Sequence, residues 1–352
     1  MDRPDPAARV RAPALLVVIV LALACAGVGC PCVRGAVNAS PDLRWWLFSN
    51  FGASKVCPEM KKRGVPLKLA SLGAASVGRF FPRDCRVDVD DQRHAIVVTA
   101  SGTGYASLPV TRRIGFYCGI QVEYLPDFRL ESDATYVWGK FSRLLAPPDL
   151  RIIGVENPVV NLATRTPAGD VATVIGQGVV TSEIVKGFTV VRQDDGDDFA
   201  LGILNPPDKP KRHFKAGEDR QVLASDITQL QGGTREFLGP FTVDDQGAAL
   251  YVKANVTGAP LVYAVMVRST GDTWRASYEA AQPLGPPPGA LISQGALPMG
   301  ESSFVAVVPK GEYFIVVENR AQPIAPLGVP LPMPVGEAIG YLTYSVEVGD
   351  KP

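Results

Sequence analysis

Residues 86–100 read RVDVDDQRHAIVVTA. Two arms rich in valine, isoleucine and threonine flank a polar turn at residues 91–93. β-Branched arms on either side of a short polar turn are typical of a β-hairpin. The stretch therefore predicts two antiparallel strands, at residues 86–90 and 94–100, and the same pattern continues along the chain.

Further runs of β-branched and aromatic residues follow this hairpin at intervals of about 8–12 residues. Turn-forming pairs separate them, as at Pro147-Pro148 and Asn157-Pro158. The predicted strands are residues 106–110, 114–124, 134–141, 151–156, 159–164, 171–175, 178–185, 188–192 and 199–204. Strands at this spacing favour a barrel or a sandwich over alternating strand–helix units.

The last third of the chain resumes the pattern after an interruption. Residues 205–222 open with NPPDKPKRHFKAGEDR, whose prolines and charges predict a solvated linker. Beyond it, strands are predicted at residues 234–243, 248–256, 261–269, 273–279 and 341–348. Residues 303–308 and 312–318 flank Pro309-Lys310-Gly311 and predict a further hairpin. Residues 223–352 are therefore predicted to form a β-sandwich.

One segment ahead of the strands predicts a helix. Within residues 42–63, Leu43, Trp46, Leu47 and Phe51 recur at helical spacing. The preceding serine and proline suit the start of a helix, because serine caps free N–H groups and proline fits the first turn.

The composition agrees with few helices. Glycine and proline number 35 and 31 among 352 residues, which is unusual for a long-helix protein or a regular α/β enzyme. We therefore predict a mainly β fold with one short N-terminal helix and two antiparallel β modules. The first, a barrel or sandwich, occupies residues 42–204 together with the helix, and the β-sandwich follows the linker. Basic and acidic residues both number 35, and this balance argues against a nucleic-acid partner.

The N-terminus is predicted to direct export. Three arginines among the first eleven residues precede ALLVVIVLALA at residues 14–24, and small residues follow. A basic start, an apolar run of this length and small residues are typical of a secretory signal. As a helix the run spans roughly 16 Å, about half of a bilayer core. Residues 1–24 are predicted to be a signal peptide and residues 25–41 a tether.

The end of the apolar run bears on membrane attachment. Ala22-Leu23-Ala24-Cys25 places a small residue directly before a cysteine, and the first 30 or so residues resemble a bacterial lipoprotein precursor. The resemblance implies cleavage before Cys25 and acylation of its thiol, with Cys30 after Gly29 as the alternative. Two other outcomes stay open. Ordinary signal peptidase would release a secreted protein at the alanines, and an uncleaved segment would remain a membrane helix.

Six cysteines are present, and none follows residue 118. In an oxidising compartment cysteines of a folded module pair, so we expect a disulfide among Cys57, Cys85 and Cys118. A zinc site would need cysteines or histidines at ligand spacing, which the sequence lacks.

Two further patterns are candidate binding sites. Asp194, Asp195, Asp197 and Asp198 surround a glycine, and such hard oxygen ligands suit Ca²⁺; the alternative is a solvated hairpin turn. Aromatic residues crowd residues 105–141. Among them Tyr117, Tyr124, Tyr136 and Trp138 are candidates for a surface that stacks on sugar rings or contacts a protein, the alternative being burial in the core.

The sequence assigns no catalytic residue and no cofactor. A G-x-S-x-G motif is absent, and the two histidines, His94 and His213, are expected to be structural or solvated. These patterns predict an exported, non-enzymatic lipoprotein of the outer membrane or cell envelope, or otherwise a periplasmic or secreted protein. The lipid anchor would attach it to the membrane. The folded part would act as a scaffold or binding module for a protein or glycan partner. The alternatives are a carrier with a hydrophobic cavity within residues 65–204, and a hydrolase.

Overall fold

The computed structural model describes residues 31–68, 75–108, 112–156, 183–194, 196–320 and 338–352. Over these residues the chain is mainly β, with a short N-terminal helical region and two sheets, which confirms the predicted fold class. No helix in the described ranges has the length and apolar character needed to cross a membrane.

The helical region covers one face of the first β module. Its elements are α1 (Pro31–Ala39), α2 (Pro41–Leu47), a π-helical turn (Phe48–Gly52) and α3 (Ala53–Lys61). Ser40 caps α2 by accepting a 3.3 Å hydrogen bond from the N–H of Leu43. The predicted helix is confirmed, with the π-helical turn as an addition that the spacing did not reveal.

The predicted tether at residues 25–41 is wrong from residue 31 onward. Val37 of α1 is buried, and the Asn38 side chain exchanges two hydrogen bonds, of 2.8 and 3.0 Å, with the backbone of Leu130. Small residues made this segment look unstructured, but Val37 and Asn38 fasten it to the sheet. Cys25, Cys30 and the predicted signal peptide lie outside the described residues.

The strands account for most of the described chain. They are β1 (Val65–Lys68), β2 (Ser76–Asp90), β3 (Ala95–Leu108), β4 (Arg112–Leu130), β5 (Thr135–Leu144), β6 (Asp149–Val155), β7 (Phe188–Gln193), β8 (Gly196–Leu201), β9 (Gln221–Leu230), β10 (Thr234–Val243), β11 (Ala248–Gly258), β12 (Leu261–Val267), β13 (Ser293–Leu297), β14 (Gly300–Val307), β15 (Gly311–Asn319) and β16 (Gly340–Asp350). The predicted hairpin at residues 86–100 is confirmed as the β2–β3 pair, which closes at Asp90 opposite Ala95. The predicted strands at residues 159–164 and 171–175 fall outside the described residues.

Twelve of these strands form one sheet that runs through both predicted modules. Its order is β1-β2-β3-β4-β5-β7-β8-β9-β16-β11-β14, with β6 paired to β4. β2 also meets β9, where Ser76 and Thr228 pair and the Thr228 hydroxyl donates a 3.2 Å hydrogen bond to the Ser76 carbonyl. The first and second halves of the chain are therefore joined by strand contacts as well as by the connecting segment.

The second sheet has the order β10-β15-β12-β13, and its strands β10 and β15 are buried on both faces. One face packs on β9, β16, β11 and β14 to form the sandwich core, in which Leu250, Val265 and Ile315 lie. The other face packs on a helix, α4 (Arg268–Glu279), and on β2 and β3 through an aromatic cluster that includes Phe237 and Phe314.

Two predictions for this half are wrong. β14 and β15 do not form a hairpin, because β14 pairs with β11 in the large sheet whereas β15 pairs with β10 and β12 in the small one. The short turn between them crosses the core, where Val308 is buried and the Tyr313 hydroxyl donates to the Pro309 carbonyl at 2.7 Å.

The predicted strand at residues 273–279 is instead part of α4. Its buried residues are Gly271, Trp274, Arg275, Tyr278 and Glu279. These positions recur at intervals of three and four, the period of one helix face, so the helical pattern outweighs the aromatic residues that suggested a strand.

Candidate functional site

Three of the four candidate surface aromatics belong to the core. Tyr124, Tyr136 and Trp138 are at most 8% exposed. Tyr124 packs beneath the helical region, whereas Tyr136 and Trp138 pack with Val191. The predicted aromatic surface is therefore wrong at these positions, since layers that the local sequence could not reveal cover them. Tyr117 is half-buried, with the Arg151 guanidinium 5.6 Å from its ring.

In the acidic cluster at residues 194–198, two carboxylates form ion pairs with arginine side chains. Asp197 pairs with Arg192 at 3.2 Å, and Asp198 pairs with Arg212 at 2.8 Å and accepts a 2.7 Å hydrogen bond from Gln193. Asp194 is described and Asp195 is not. Across the described ranges, no three histidine, cysteine, aspartate or glutamate side chains are grouped as metal ligands. The calcium prediction is therefore not supported, because arginines take the carboxylates that would bind the ion.

The cysteines divide into a bonded pair and a buried thiol. Cys57 of α3 and Cys85 of β2 form a disulfide with 5.5 Å between their Cα atoms. Cys118, the third disulfide candidate, is instead a free buried thiol in β4. Burial raises its pKa to about 12, assisted by the negative charge of Asp149. It lies in a different core cluster from Cys85, beside Phe80 and Phe116.

The two histidines lie in different environments. His94 stacks on Trp45 with 4.9 Å between ring centroids, at the turn between β2 and β3. His213 lies in the segment between β8 and β9, residues 202–220, which we term the 202–220 loop.

The 202–220 loop is fastened to the first half of the chain by ion pairs. Lys209 contacts Asp133 at 2.7 Å, and Arg212 contacts the buried carboxylate of Asp198. The segment predicted as a solvated linker at residues 205–222 has no buried residue between 205 and 220, and it is fastened to its surroundings by these pairs. Arg212 and Arg220 pair with carboxylates of strand residues, Lys209 pairs with Asp133 between β4 and β5, and residues 221 and 222 already belong to β9.

Glu347 of β16 fastens the loop to the second half. Its fully buried carboxylate accepts hydrogen bonds from the Lys253 ammonium at 2.8 Å and from the N–H of Gly217 at 3.2 Å, and Arg220 lies 3.7 Å away. The Lys253 ammonium also donates to the Lys215 carbonyl at 2.6 Å. A carboxylate buried among cations is costly to leave unpaired, so these contacts hold the loop in one conformation.

An open groove of about 490 Å³ is formed by this part of the loop. The groove is lined by Arg212, His213, Phe214, Lys215, Ala216, Gly217 and Glu218. Phe214 is half-buried and the Lys215 side chain is exposed. Burial lowers the pKa of His213, and the nearby positive charge of Lys211 lowers it further. The groove thus combines the Phe214 ring with the exposed Lys215 ammonium, while the Arg212 guanidinium is paired with Asp198 and Glu218 adds a carboxylate to the lining. An aromatic ring beside a cation suits a ligand that has an apolar face and a negative charge.

Sequence reasoning missed this site. The run KRHFK at residues 211–215 was the available signal, since it places an aromatic ring among cations. A charged segment between prolines is usually solvated, and the contacts that shape the groove come from distant positions such as Glu347.

Comparison with known proteins gives weak similarity to solved structures. No protein-family model and no curated protein matches the sequence. Among solved structures, a glycoside hydrolase family 43 arabinoxylan arabinofuranohydrolase from Bacillus subtilis, in complex with cellotetraose, has 10% sequence identity and a TM-score of 0.19. The similarity covers 76% of this chain and 67% of that chain. A TM-score this low carries no conclusion about fold or function.

Proposed function

We propose that the protein is an exported, lipid-anchored binding module of the cell envelope that holds an acidic glycan in the groove of the 202–220 loop. The observation that carries the proposal is the combination of Phe214 with the exposed Lys215 in a loop that Arg212 and Lys253 fasten on its two sides. An aromatic ring suits the apolar face of a sugar, and cationic donors suit the carboxylate of a uronic acid. The groove volume is in the range of small-ligand sites, about 300–1,000 Å³.

The disulfide supports the proposed location. A Cys57–Cys85 bond indicates an oxidising compartment, because thiols in the cytosol are kept reduced. The apolar run before Cys25 supplies the export signal and the anchor in this proposal.

Glycan binding is tested by calorimetry on the full mature chain, with trigalacturonate as the acidic probe and the matching neutral galactose trisaccharide as the comparison. We expect binding of the acidic probe that weakens with added salt and is lost in Phe214→Ala and Lys215→Gln. Lys310→Gln is the matched control, since Lys310 is an exposed lysine in the turn between β14 and β15. Equal binding of both probes, or binding unchanged in Lys215→Gln, would contradict the proposal.

The anchor is tested by mass spectrometry of the mature N-terminus. We expect an acyl-modified Cys25 as the first residue, and release of the chain from membranes in Cys25→Ser. An unmodified N-terminus would exclude the lipid anchor, and an acyl chain on Cys30 would move the site to the alternative cysteine.

A further inference from the structure

The helical region presents two different faces. Trp45, Phe48 and Ala53 point into the core against β3 and β4. Trp46 is only half-buried, and Phe51 is 61% exposed, with 6.0 Å between the centroids of these two rings in an edge-to-face arrangement. An aromatic pair is thus displayed on the outer face.

The π-helical turn produces this display. Its wider turn directs Phe48 inward and leaves Phe51 outward. A side chain at Gly52 would place its Cβ 2.8 Å from the Phe48 ring, so glycine is needed for the close approach. π-Helical turns are rare and are often found at functional sites.

The outer face is held rigidly on the sheet. The Cys57–Cys85 disulfide joins α3 to β2, and Arg44 of α2 pairs with Asp127 of β4 at 2.7 Å. The exposed rings therefore do not belong to a frayed terminus that could bury them by local folding.

The short chain between the proposed anchor at Cys25 and α1 points to the membrane as the partner of the exposed rings. Helix α1 begins at Pro31, six residues after Cys25. Whatever its conformation, a chain of six residues spans at most about 20 Å. An acylated Cys25 lies at the membrane surface, so the start of α1 at Pro31 is kept within that distance of the lipid headgroups.

We propose that Trp46 and Phe51 insert into the headgroup region of the bilayer and orient the protein on the membrane; this inference rests on the lipid anchor of the proposed function. Tryptophan favours the membrane interface, and a phenylalanine that is exposed in water gains free energy on burial among acyl chains. Two lysines of α3, Lys55 and Lys61, are also exposed, and such cations suit anionic headgroups.

The test uses the acylated full chain in vesicles of phosphatidylethanolamine and phosphatidylglycerol with brominated acyl chains, which quench nearby tryptophan fluorescence. All four tryptophans lie within the described residues, and Trp45, Trp138 and Trp274 are at most 9% exposed. We expect quenching in the wild type, loss of most of it in Trp46→Phe, and a clear reduction in Phe51→Ser. Met299→Ser is the control, since Met299 is 65% exposed in the second half of the chain and should leave quenching unchanged.

Flotation of the vesicles and mass spectrometry of Cys25 separate the two proposals. An acylated chain that floats with the vesicles but shows no quenching of Trp46 overturns the orientation and leaves the anchor standing. A chain without the acyl group that neither floats nor shows quenching overturns both. A dimer that dissociates in Phe51→Ser would assign the aromatic pair to a second copy of the chain and would also overturn the inference.

Discussion

Arg79 of β2 and Glu236 of β10 form a buried ion pair with 2.9 Å between Nε and Oε1, and their side chains are 5% and 3% exposed. The Tyr105 hydroxyl donates to the second carboxylate oxygen at 3.1 Å, and Arg79 also donates to the Tyr344 hydroxyl at 3.2 Å. Burial raises the pKa of the Glu236 carboxyl, and the charge of Arg79 acts against that rise. The pair joins β2 of the large sheet, in the first half of the chain, to β10 of the small sheet, in the second half.

Glu236→Ala is expected to lower the free energy of unfolding by about 3–5 kcal/mol, because it leaves the Arg79 guanidinium buried without a counter-charge. Urea unfolding at neutral pH measures the change. The exposed pair of Arg86 and Asp88 provides the control, since Asp88→Asn is expected to cost only about 0–1 kcal/mol. A Glu236→Ala cost no larger than that of the control would show that the buried pair does not hold the halves together.

Gly115→Ala is expected to displace α4 from β4. A Cβ at Gly115 would lie 1.7 Å from the Glu279 carbonyl oxygen, which is backbone and cannot move aside cheaply. The matched control is Gly119→Ala on the same strand, where the nearest atom would be 3.5 Å away. We expect a loss of about 1–3 kcal/mol or more for Gly115→Ala and a much smaller one for the control. Hydrogen exchange of the α4 amides distinguishes displacement of the helix from general destabilisation.

Removal of the disulfide is expected to destabilise the protein and to loosen the helical region. The Cys57–Cys85 bond closes a loop with a sequence separation of 28 residues, and loop-closure entropy predicts a loss of about 3–4 kcal/mol in Cys57→Ser/Cys85→Ser. Hydrogen exchange should rise first in α2 and α3. Unchanged exchange there would mean that Arg44, Asn38 and the apolar contacts suffice to hold the helices.

Cys118 is expected to resist alkylation in the folded protein. Its thiol is buried and has a pKa raised to about 12, so almost none is thiolate at mildly alkaline pH. Iodoacetamide treatment followed by peptide mass mapping should show no modification of residue 118 before denaturation and complete modification afterwards. Rapid labelling of the native chain would place the thiol in a more open environment.

His213 makes stability depend on pH in a defined direction. Its pKa is lowered in the folded state, so the folded protein binds fewer protons at this group than the unfolded chain. The free energy of unfolding is highest above the pKa that His213 has in the unfolded chain. It decreases as the pH falls from there through the lower pKa that His213 has in the folded protein. The free energy of unfolding should therefore fall more steeply between about pH 7 and pH 5 in the wild type than in His213→Gln. Lys211→Gln removes the charged neighbour, so its free energy of unfolding should depend on pH less steeply than that of the wild type and more steeply than that of His213→Gln. A steeper fall in His213→Gln than in the wild type would show that the pKa of His213 is not lowered by folding.

Short-range sequence patterns were sufficient to predict those elements whose stabilising contacts are local. The β2–β3 hairpin depends on a polar turn and the β-branched arms next to it, and the helix after Ser40 depends on a cap and on spacing within two or three turns. These features are complete within about 20 residues, and both predictions are confirmed. A disulfide among the cysteines of the first half was also predictable, although the pattern could not say that Cys57 pairs with Cys85 and leaves Cys118 free.

The sequence by itself determined that the chain is mainly β, with a helix ahead of its strands, because residue type and period act over short distances. Only the tertiary structure decided that β14 and β15 lie in opposite sheets, that Tyr124, Tyr136 and Trp138 are covered, and that the 202–220 loop is a shaped groove. The groove depends on Glu347, which accepts from Gly217 across 130 positions of the chain. Burial and charge pairing between such distant residues are properties of the packed layers, and no local pattern encodes them.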